Sequence, residues 1–468
     1  MTYPLNLTPS LILAHLSLVV GFLLAVLCVA HILRQRRSPS ATIAWLLAIV
    51  LIPYLGLPLY LLLGGRKMRR IAGGKTNLVL PPGEACPLEQ AAPIDRLLRT
   101  YGIPGATAGN RFTLRPSGEE VYRCLMELIE EAAQSLWMTT FILHPDKVGK
   151  EVVSRLAAKA NEGVDVRLLL DGVGSMHTSW SALAPLTEAG GQVQFFMPVF
   201  RRPFRGRTNW RNHRKMVIAD QRRVLAGGAN IADEYLGPLP DPDRWRDLSF
   251  TLQGPAVAMY EEIFRSDWEF ASEEKIELPA PPPAEHQAAD AIVQVAPSGP
   301  DVVGDTLYDT ILSAAFAAQR RLWVATPYFL PDEALVRAVI LAAHRGVDVR
   351  IIVPRRSNHP LADLARGAYL REIQAAGGTI LRFTATMLHA KALLMDDELA
   401  MIGSANMDMR SLLLNYESAL IVYSRREVEA TAQWFESLAK NASVGVKPKV
   451  SMLRDLCEGV VRMIAPQL

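Results

Sequence analysis

Cysteine and net charge are both scarce in this sequence. Its 468 residues include four cysteines and nine histidines, and 50 basic against 47 acidic residues leave a net charge of +3. The cysteines (Cys28, Cys86, Cys124, Cys457) have the spacing of neither a disulfide framework nor a zinc site, which agrees with a reducing compartment. No histidine spacing typical of metal ligands occurs, so we expect no metal and no cofactor. The small net charge gives no reason to expect a nucleic acid partner.

Acidic side chains are absent from residues 1–65, where three arginines are the only basic residues. Two runs in this region, 11–33 and 41–65, lack Asp, Glu, Lys and Arg, and each exceeds the roughly 20 apolar residues that cross a membrane. No basic segment precedes the first run, which argues against a cleaved signal peptide. The sequence therefore predicts a membrane anchor in residues 1–70.

The second apolar run is interrupted by Pro53, Gly56 and Pro58, which disturb the helical hydrogen-bond ladder. A re-entrant or kinked segment therefore competes with a straight span as the interpretation of this run. Basic residues follow both runs, and such residues favour the cytoplasmic side of a membrane. We expect either a multi-pass anchor or one span plus a re-entrant segment, in both cases with the remaining chain on the cytoplasmic face.

After the anchor, the chain repeats one α/β pattern. The segments "EEVYRCLMELIEEAAQSLWMTTFIL" and "DTLYDTILSAAFAAQRRLWVATPYFL" each predict an amphipathic helix followed by a strand, and the sequence GVDVR recurs at 163–167 and 346–350. Two similar α/β halves indicate a pseudo-two-fold pair with a site at their interface. The predicted parts are a connecting segment (71–115), a first domain (116–277), a proline-rich linker (278–300), a second domain (301–448) and an amphipathic tail (449–468).

One motif occurs late in each half. It reads His-x-Lys, four residues, Asp, six residues, Gly, then Gly or Ser, any residue, and Asn. The first copy contains His213, Lys215, Asp220, Gly228 and Asn230, and the second contains His389, Lys391, Asp396, Ser404 and Asn406, each 176 positions later. Because two copies share all of this spacing, we take the motif as the candidate catalytic set.

The residue types of the motif suit a phosphodiester substrate. In a β-strand, whose period is two, the His and Lys of each copy project from one face into the same cleft. Lysine and asparagine donors stabilise phosphoryl oxygens, by about 3–4 kcal/mol for a well-placed donor. One imidazole then attacks phosphorus, and the other protonates the leaving alkoxide. In the second copy Ser404 adds a hydroxyl beside the phosphate, where the first copy has Gly228.

Four acidic residues complete the candidate site. A nucleophilic histidine needs an acceptor on its other ring nitrogen, and Glu417 and Asp247 lie 28 and 34 residues after the histidines of the second and first copies. Asp220 and Asp396 belong to the motif, but five residues beyond the lysine they fall on the opposite strand face. We expect these two aspartates to cap the bend after the strand or to form a structural ion pair.

The paired motifs resemble those of the phospholipase D superfamily. Further stretches narrow the resemblance to the membrane-anchored bacterial cardiolipin synthases, namely "IPYLGLPLYLLLGG", "NWRNHRKMVIAD", "TPYFLPDEAL" and "IGSANMDMRS". The resemblance implies two phospholipase D-like α/β sandwich domains related by a pseudo-two-fold and preceded by N-terminal membrane helices. It also implies a location in the bacterial inner (plasma) membrane.

The resemblance implies a reaction as well. Members of this family join two phosphatidylglycerol molecules, one as donor and one as acceptor, into cardiolipin and release glycerol. By this analogy His213 is the nucleophile that forms a phosphatidyl-histidine, and His389 is the acid/base. A membrane-anchored phospholipase D or phosphodiesterase that uses water as acceptor shares these motifs and stays an alternative. The oligomeric state is left open.

Two surfaces are candidates for contact with lipid. Residues 201–223, the basic segment, contain nine basic residues and one acid, and their place around His213 favours an entrance for anionic lipid. A solvated loop has the same composition, and such a segment also attracts nucleic acid, although an anchored protein argues against a nuclease. The tail forms an apolar helical face that lies on the membrane or docks on the body: Leu453, Leu456, Cys457, Val460 and Ile464.

Overall fold

The computed structural model describes residues 9–34, 39–63, 75–81, 92–198, 210–277 and 290–464. The chain divides into two compact units, one that ends at Met68 and one that begins at Arg69. Cys86, positions 201–209 of the basic segment, positions 278–289 of the proline-rich linker and the last four residues lie outside the described ranges.

The N-terminal unit contains α1 (Pro9–Arg34), α2 (Pro39–Leu51) and α3 (Pro53–Leu63). Within the described residues, one helix, over His15–Arg34, is long and apolar enough to cross a membrane. The second apolar run is broken at Ile52 into two helices, each shorter than the roughly 20 residues of a span. A Cβ on Gly56 would lie 2.1 Å from the main-chain oxygen of Ala48, so glycine permits the close approach of α2 and α3. The interruption predicted from the proline and glycine residues is therefore present as a kink.

The first half of the larger unit alternates helices and strands as the sequence predicts. Its elements are α4 (Ala92–Thr100), β1 (Thr107–Arg115), α5 (Gly118–Glu131), β2 (Ser135–Thr140), α6 (Lys147–Asn161), β3 (Asp165–Asp171), α7 (Trp180–Glu188), β4 (Gln192–Phe196), β5 (Met216–Ala219), β6 (Arg223–Gly227), β7 (Ser249–Gln253) and α8 (Val257–Ser272). The side chains of Ser117 and Asp146 accept hydrogen bonds from main-chain N–H groups in the first turns of α5 and α6, which fixes where these helices begin.

The second half repeats the order of the first. Its elements are β8 (Ala291–Ser298), α9 (Thr306–Ala317), β9 (Arg321–Ala325), β10 (Phe329–Leu330), α10 (Glu333–His344), β11 (Asp348–Pro354), α11 (Pro360–Ala375), β12 (Thr379–Phe383), β13 (Ala392–Met395), β14 (Leu399–Gly403), β15 (Met407–Asp408), α12 (Met409–Leu413), β16 (Glu417–Val422), α13 (Arg425–Ala439), β17 (Ala442–Val444) and α14 (Met452–Ile464). The repeated GVDVR begins at Gly163 and Gly346, with φ of 90° and 85°. Glycine at both positions lets the chain turn from helix into strand.

One sheet of 15 strands contains both halves, in the order β17-β12-β11-β9-β13-β14-β16-β8-β1-β7-β6-β5-β2-β3-β4. From the central antiparallel pair of β8 and β1, corresponding strands follow in the same order on each side. This arrangement gives the pseudo-two-fold that the repeat predicts. Because the sheet continues from one half into the other, the predicted domain boundaries stay predictions.

Parallel strands define the edge of the sheet where the chemistry lies. β2, β3 and β4 are parallel in the first half, and β9, β11 and β12 are parallel in the second. Ligands of α/β sheets bind outside the carboxyl ends of such strands. The histidines and lysines of the motif lie at that edge, because β5 and β13 begin beside the carboxyl ends of β2 and β9, and there the two halves meet.

Candidate active site

The two His-x-Lys segments lie immediately before strands and not within them, since β5 and β13 each begin one residue after the lysine. Their main chains hydrogen-bond across to the other half. The N–H of His213 donates to the oxygen of Tyr416 over 2.9 Å, and the N–H of His389 donates to that of Arg246 over 2.8 Å. The predicted strand placement was therefore wrong by a few residues, because these bonds between halves replace sheet pairing.

Each catalytic histidine candidate is oriented by a carboxylate of the opposite half. His213 Nδ1 lies 3.0 Å from both carboxylate oxygens of Glu417, and His389 Nδ1 lies 2.6 Å from Asp247 Oδ2. The backbone causes this exchange, since the residue before each histidine forms a bridge with the residue before the opposite acid. The sequence offered each acid downstream in its own copy, and the structure reverses that pairing. Because a carboxylate accepts, Nδ1 carries the proton and Nε2 is left for chemistry.

Ser404 supports an acid and does not face the phosphate position predicted for it. Its hydroxyl donates to Glu417 Oε2 over 2.5 Å, and Asn415 Nδ2 donates to Glu417 Oε1 over 3.3 Å. The same Ser404 oxygen accepts the main-chain N–H of Ser418. The predicted phosphate contact of this hydroxyl is replaced by one that fixes the carboxylate of Glu417.

Gly228 explains why the halves differ at this position. A Cβ on Gly228 would lie 2.0 Å from Asp247 Oδ1, so no side chain fits beside that carboxylate. Oδ1 instead accepts the main-chain N–H of Leu248 over 2.7 Å. One half therefore pairs a shorter acid with glycine, and the other pairs a longer acid with serine.

The two motif lysines are buried beside the histidines. Lys215 Nζ donates to the main-chain oxygen of His213 over 2.6 Å, and Lys391 Nζ lies 3.8 Å from Asp247 Oδ2. Burial lowers the pKa of Lys391 to about 8, although Asp247 opposes the shift. Burial likewise lowers the pKa of Lys215 well below its usual range. An anionic substrate stabilises the protonated lysines, so the full positive charge of the cleft develops when phosphate enters.

Burial keeps both imidazoles neutral. His213 and His389 are only 7% and 5% exposed. Burial lowers the pKa of His213 despite the attraction of Glu417, and burial together with Lys391 lowers the pKa of His389 to about 3. Burial would raise the pKa values of Glu417 and Asp247, but their cationic and histidine neighbours outweigh it and keep both lowered. Two neutral histidines therefore face two ionised acids.

The motif asparagines play different parts. Asn230 Oδ1 accepts the N–H of Ile142 over 3.2 Å, and its buried Nδ2 has no hydrogen-bond partner among the described residues. That donor matches the predicted phosphate contact. Asn406 Nδ2 donates to Ser411 Oγ over 3.3 Å, which leaves its buried Oδ1 without a partner in the same part of the chain. An acceptor here suits a hydroxyl group better than a phosphoryl oxygen.

Asp220 and Asp396 hold turns and do not reach the cleft. Each carboxylate accepts three consecutive main-chain N–H groups that lead into β2 or β9, and each residue has a φ of 50°. The donors are Ala133, Gln134 and Ser135 for the first aspartate, and Gln319, Arg320 and Arg321 for the second. Their place in the candidate catalytic set was therefore wrong, and the capping role expected from strand periodicity is the one they have.

Replacing Asp396 by alanine should lower stability and leave the chemistry intact. The substitution removes the acceptor of three N–H groups, so we expect a loss of about 2–4 kcal/mol in the free energy of unfolding. Urea unfolding and kcat per folded molecule measure the two effects. The matched control is Asp397→Ala, whose carboxylate pairs with Arg320 at the surface and contributes far less. A folded Asp396→Ala variant with a kcat lowered a hundredfold would contradict the structural role.

Comparison with known proteins places the chain in a family. Residues 125–268 and 311–439 match the family described as "Cardiolipin synthase, PLD-like domain", and residues 23–65 match "Phospholipase_D-nuclease N-terminal". Cardiolipin synthase 1 of Bacillus cereus is 32% identical, over 93% of this chain and 90% of that protein. Cardiolipin synthase A of Pseudomonas syringae is 33% identical, over 96% and 98%. The chain belongs to the bacterial cardiolipin synthases.

The fold is also similar to that of a solved structure. The crystal structure of phosphatidylserine synthase from Haemophilus influenzae superposes with a TM-score of 0.59 at 16% identity, and the match covers 81% of this chain and 97% of that one. The family model, which matches once in each half, together with this similarity of fold confirms the predicted arrangement of two phospholipase D-like halves.

In this member of the cardiolipin synthase family, a buried cluster of charged residues lies next to the site, and the sequence did not predict it. Arg214, fully buried, donates to both oxygens of Asp267 at 2.7 and 2.9 Å and to the main-chain oxygen of Glu417 at 3.1 Å. Lys75 Nζ contacts Asp267 and also donates to Asp301 Oδ2 over 2.7 Å. Arg214 lies between the histidine and lysine of the first copy, where the second copy has alanine. That difference between the copies could have indicated a special role for Arg214. Nothing in the sequence marks Asp267.

Aromatic side chains surround the histidines asymmetrically. The rings of Tyr235 and Trp245 lie 5.1 and 5.5 Å from that of His389, and the ring of Phe141 lies 4.9 Å from that of His213. All three aromatic residues come from the first half. They form apolar walls that limit the access of water to both imidazoles.

Asp171 holds the main chain that leads into the first motif. At the carboxyl end of β3, its Oδ2 accepts the N–H of Asn212 over 2.8 Å, and its Oδ1 lies 3.4 Å from Arg211 Nη1. Burial raises the pKa of Asp171 although Arg211 opposes the shift. Arg211, a described part of the basic segment, is buried and donates to the oxygen of Met197, so it serves the fold and not a solvated loop.

Proposed function

We propose that this protein transfers the phosphatidyl group of one phosphatidylglycerol to another, giving cardiolipin and glycerol through a phosphatidyl-histidine. The observation that carries the proposal is the pair of buried histidines, each with its Nδ1 held by an acid of the other half. One site with two imidazoles, each oriented by an acid, suits a reaction that both forms and resolves a covalent intermediate. The named relatives are cardiolipin synthases, and this chain matches them over nearly their whole length.

In the first step, Nε2 of neutral His213 attacks the phosphorus of the donor lipid. A P–N bond forms as the bond between phosphorus and the glycerol oxygen breaks, and His389 gives its proton to the departing glycerol. The pKa of His389 is about 3, so this histidine is neutral before the substrate binds. An entering anionic phosphodiester stabilises the imidazolium, so His389 takes up a proton on Nε2 from solvent as the substrate binds and becomes the general acid. Lys215, Lys391 and the free donor of Asn230 stabilise the phosphoryl oxygens.

In the second step, the terminal hydroxyl of the acceptor lipid resolves the intermediate. His389, now neutral, takes the proton of that hydroxyl, whose oxygen attacks phosphorus as the P–N bond breaks and its electron pair returns to His213. Two phosphodiesters enter and two leave, so the exchange is close to energy-neutral and needs no nucleotide. The burial of both histidines and their aromatic walls disfavour water as the acceptor.

The same proposal includes the setting of the reaction. The apolar helix over His15–Arg34 and the match of residues 23–65 to the family described as "Phospholipase_D-nuclease N-terminal" support association with a membrane. We place the protein in the bacterial inner membrane with its larger unit on the cytoplasmic face, where the basic residues after both apolar runs favour it. The substrates of this reaction reside in that membrane.

The assay that tests the proposal uses purified full-length protein in detergent with phosphatidylglycerol as the sole lipid. We expect cardiolipin and glycerol in equal amounts and little phosphatidic acid. A His344→Gln variant, which changes an exposed histidine at the end of α10, should match the parent protein. If phosphatidic acid is the main product, water is the acceptor and the transferase proposal fails.

A further inference from the structure

The last helix, α14, is fixed to the body by one of its two faces. Glu458 on that face is fully buried, its Oε1 accepts from Arg454 Nε over 2.9 Å, and its Oε2 accepts from Arg371 Nη2 over 2.5 Å. Gly367 on α11 leaves room for it, since a Cβ there would lie 2.7 Å from Oε1. Val461, one turn on, packs in a small apolar cluster with Leu330. The docking face of α14 is therefore defined by a buried acid and a valine.

The opposite face of α14 is apolar and uncovered. Met452, Leu453, Leu456 and Val460 are 92%, 70%, 64% and 52% exposed, and Cys457 is exposed as well. Positions 452, 453, 456, 457 and 460 form one stripe along a helix. The apolar face identified in the sequence is thus the one that does not dock, and exposed apolar stripes of this kind are usually covered by a membrane or a partner.

The charges beside this stripe are mostly positive. Lys447, Lys449 and Arg462 are exposed, whereas Asp455 is the exposed acid of the same stretch, and the charge of Arg454 is paired with Glu458. An apolar stripe bordered by basic side chains matches the surface of an anionic phospholipid bilayer. A second copy of the chain fits less well, because like charges would meet, and one helix face supplies far less than the roughly 800 Å² per partner of a stable interface.

The end of α14 that contains Val461 lies at the same edge of the fold as the active site. Val461 packs against Leu330 in β10, and β10 pairs with β15, which begins one residue after Asn406. Both β10 and the motif residues lie beyond the carboxyl ends of the parallel strands. A surface at this edge would hold lipid next to the cleft that uses it.

We propose that α14 is an interfacial helix, which lays its apolar stripe into the anionic bilayer beside the mouth of the active site. This inference concerns a surface outside the catalytic cleft and does not depend on which reaction the cleft performs. In the membrane, the stripe holds the cleft at the depth of the lipid headgroups. A lipid phosphate then enters the site without leaving the interface.

The direct test uses the native Cys457 as a probe of depth. Full-length protein with Cys28, Cys86 and Cys124 replaced by alanine and with His213→Gln is spin-labelled at Cys457 in phosphatidylglycerol/phosphatidylcholine vesicles. Oxygen concentrates in the bilayer and a nickel chelate stays in water. We expect a several-fold higher ratio of oxygen to nickel collisions than for a label at Glu162→Cys, an exposed site at the other edge of the sheet. Because this protein is catalytically inactive, failure of the proposed reaction cannot mimic failure here.

Two results would overturn the proposal. One is a Cys457 label as accessible to nickel as the label at position 162. The other is spin–spin broadening that grows with protein density while oxygen access stays low, which would mean that a second copy covers the stripe.

Activity gives an independent readout. Leu456→Glu should raise the mole fraction of phosphatidylglycerol needed for half-maximal rate by roughly tenfold, with kcat at saturating lipid unchanged. The matched control is Phe316→Glu on α9, another exposed apolar residue, at the amino end of the strands. An equal effect of both substitutions on the lipid requirement would contradict a special role for α14.

Discussion

His213→Gln should abolish the covalent step, whereas His389→Gln should leave that step observable. With a phosphatidyl-nitrophenol donor, whose leaving group needs no proton, the parent enzyme should release a burst of nitrophenol as the intermediate forms. His213→Gln should show no burst and should lose transfer activity by about 10⁵–10⁶-fold, as expected for a lost nucleophile. His389→Gln should retain the burst and lose about 10²–10⁴-fold in turnover, since it lacks the base for the second step.

The control for this pair is again His344→Gln, which should keep both burst and turnover. The reversed pattern, with a burst in His213→Gln and none in His389→Gln, would exchange the roles of the two histidines. A burst in both variants would mean that neither histidine alone is the nucleophile. Rapid-quench kinetics distinguish these patterns within the first turnover.

The exchange of acids between the halves makes the second large prediction. Glu417→Gln should slow the nitrophenol burst by about 10³–10⁴-fold, because the imidazole it orients loses its acceptor and its tautomer. Asp247→Asn should leave the burst close to that of the parent and slow only the turnover that follows, because it acts on His389. Each acid therefore impairs the step of the histidine in the other half.

Double variants provide the control for this prediction. His213→Gln with Glu417→Gln should be no worse than His213→Gln alone, because the acid acts only through that imidazole. Glu436→Gln, a surface acid that pairs with Arg350, should change neither phase. If Asp247→Asn abolishes the burst and Glu417→Gln spares it, the acids act within their own halves and the observed pairing is wrong.

Much of the fold could be predicted from the sequence because the same α/β pattern occurs in it twice. The helix–strand pairs around residues 116–140 and 306–325, and the recurring GVDVR, predicted two similar α/β halves, and one sheet with matching strand orders confirms them. The motif residues were accessible for the same reason, since identical spacing in both copies marks them without any structure. Strand periodicity also predicted that Asp220 and Asp396 lie away from the cleft.

Contacts between the halves could not be predicted from the spacing of residues along the sequence. Glu417 stands closer in sequence to His389 than to His213, yet the backbone bridges at the interface bring it to His213. The role of Ser404 depends on that same carboxylate, so its hydroxyl was assigned to phosphate instead. The orientation of the tail helix was also not predictable. Its sequence pattern identified an apolar face, but the structure buries the face that contains Glu458 and leaves the apolar face exposed.

The proposed mechanism is tested most directly by finding which residue carries the covalent phosphatidyl group. His389→Gln protein is quenched during turnover of phosphatidyl-nitrophenol, digested at a pH that preserves phosphohistidine, and mapped by mass spectrometry. We expect one phosphatidyl group per chain, on the peptide that contains His213. The double variant His389→Gln/Glu417→Gln, quenched after the same interval, should carry no such adduct. An adduct on any other residue, or no adduct while phosphatidyl transfer continues, would contradict the proposed mechanism.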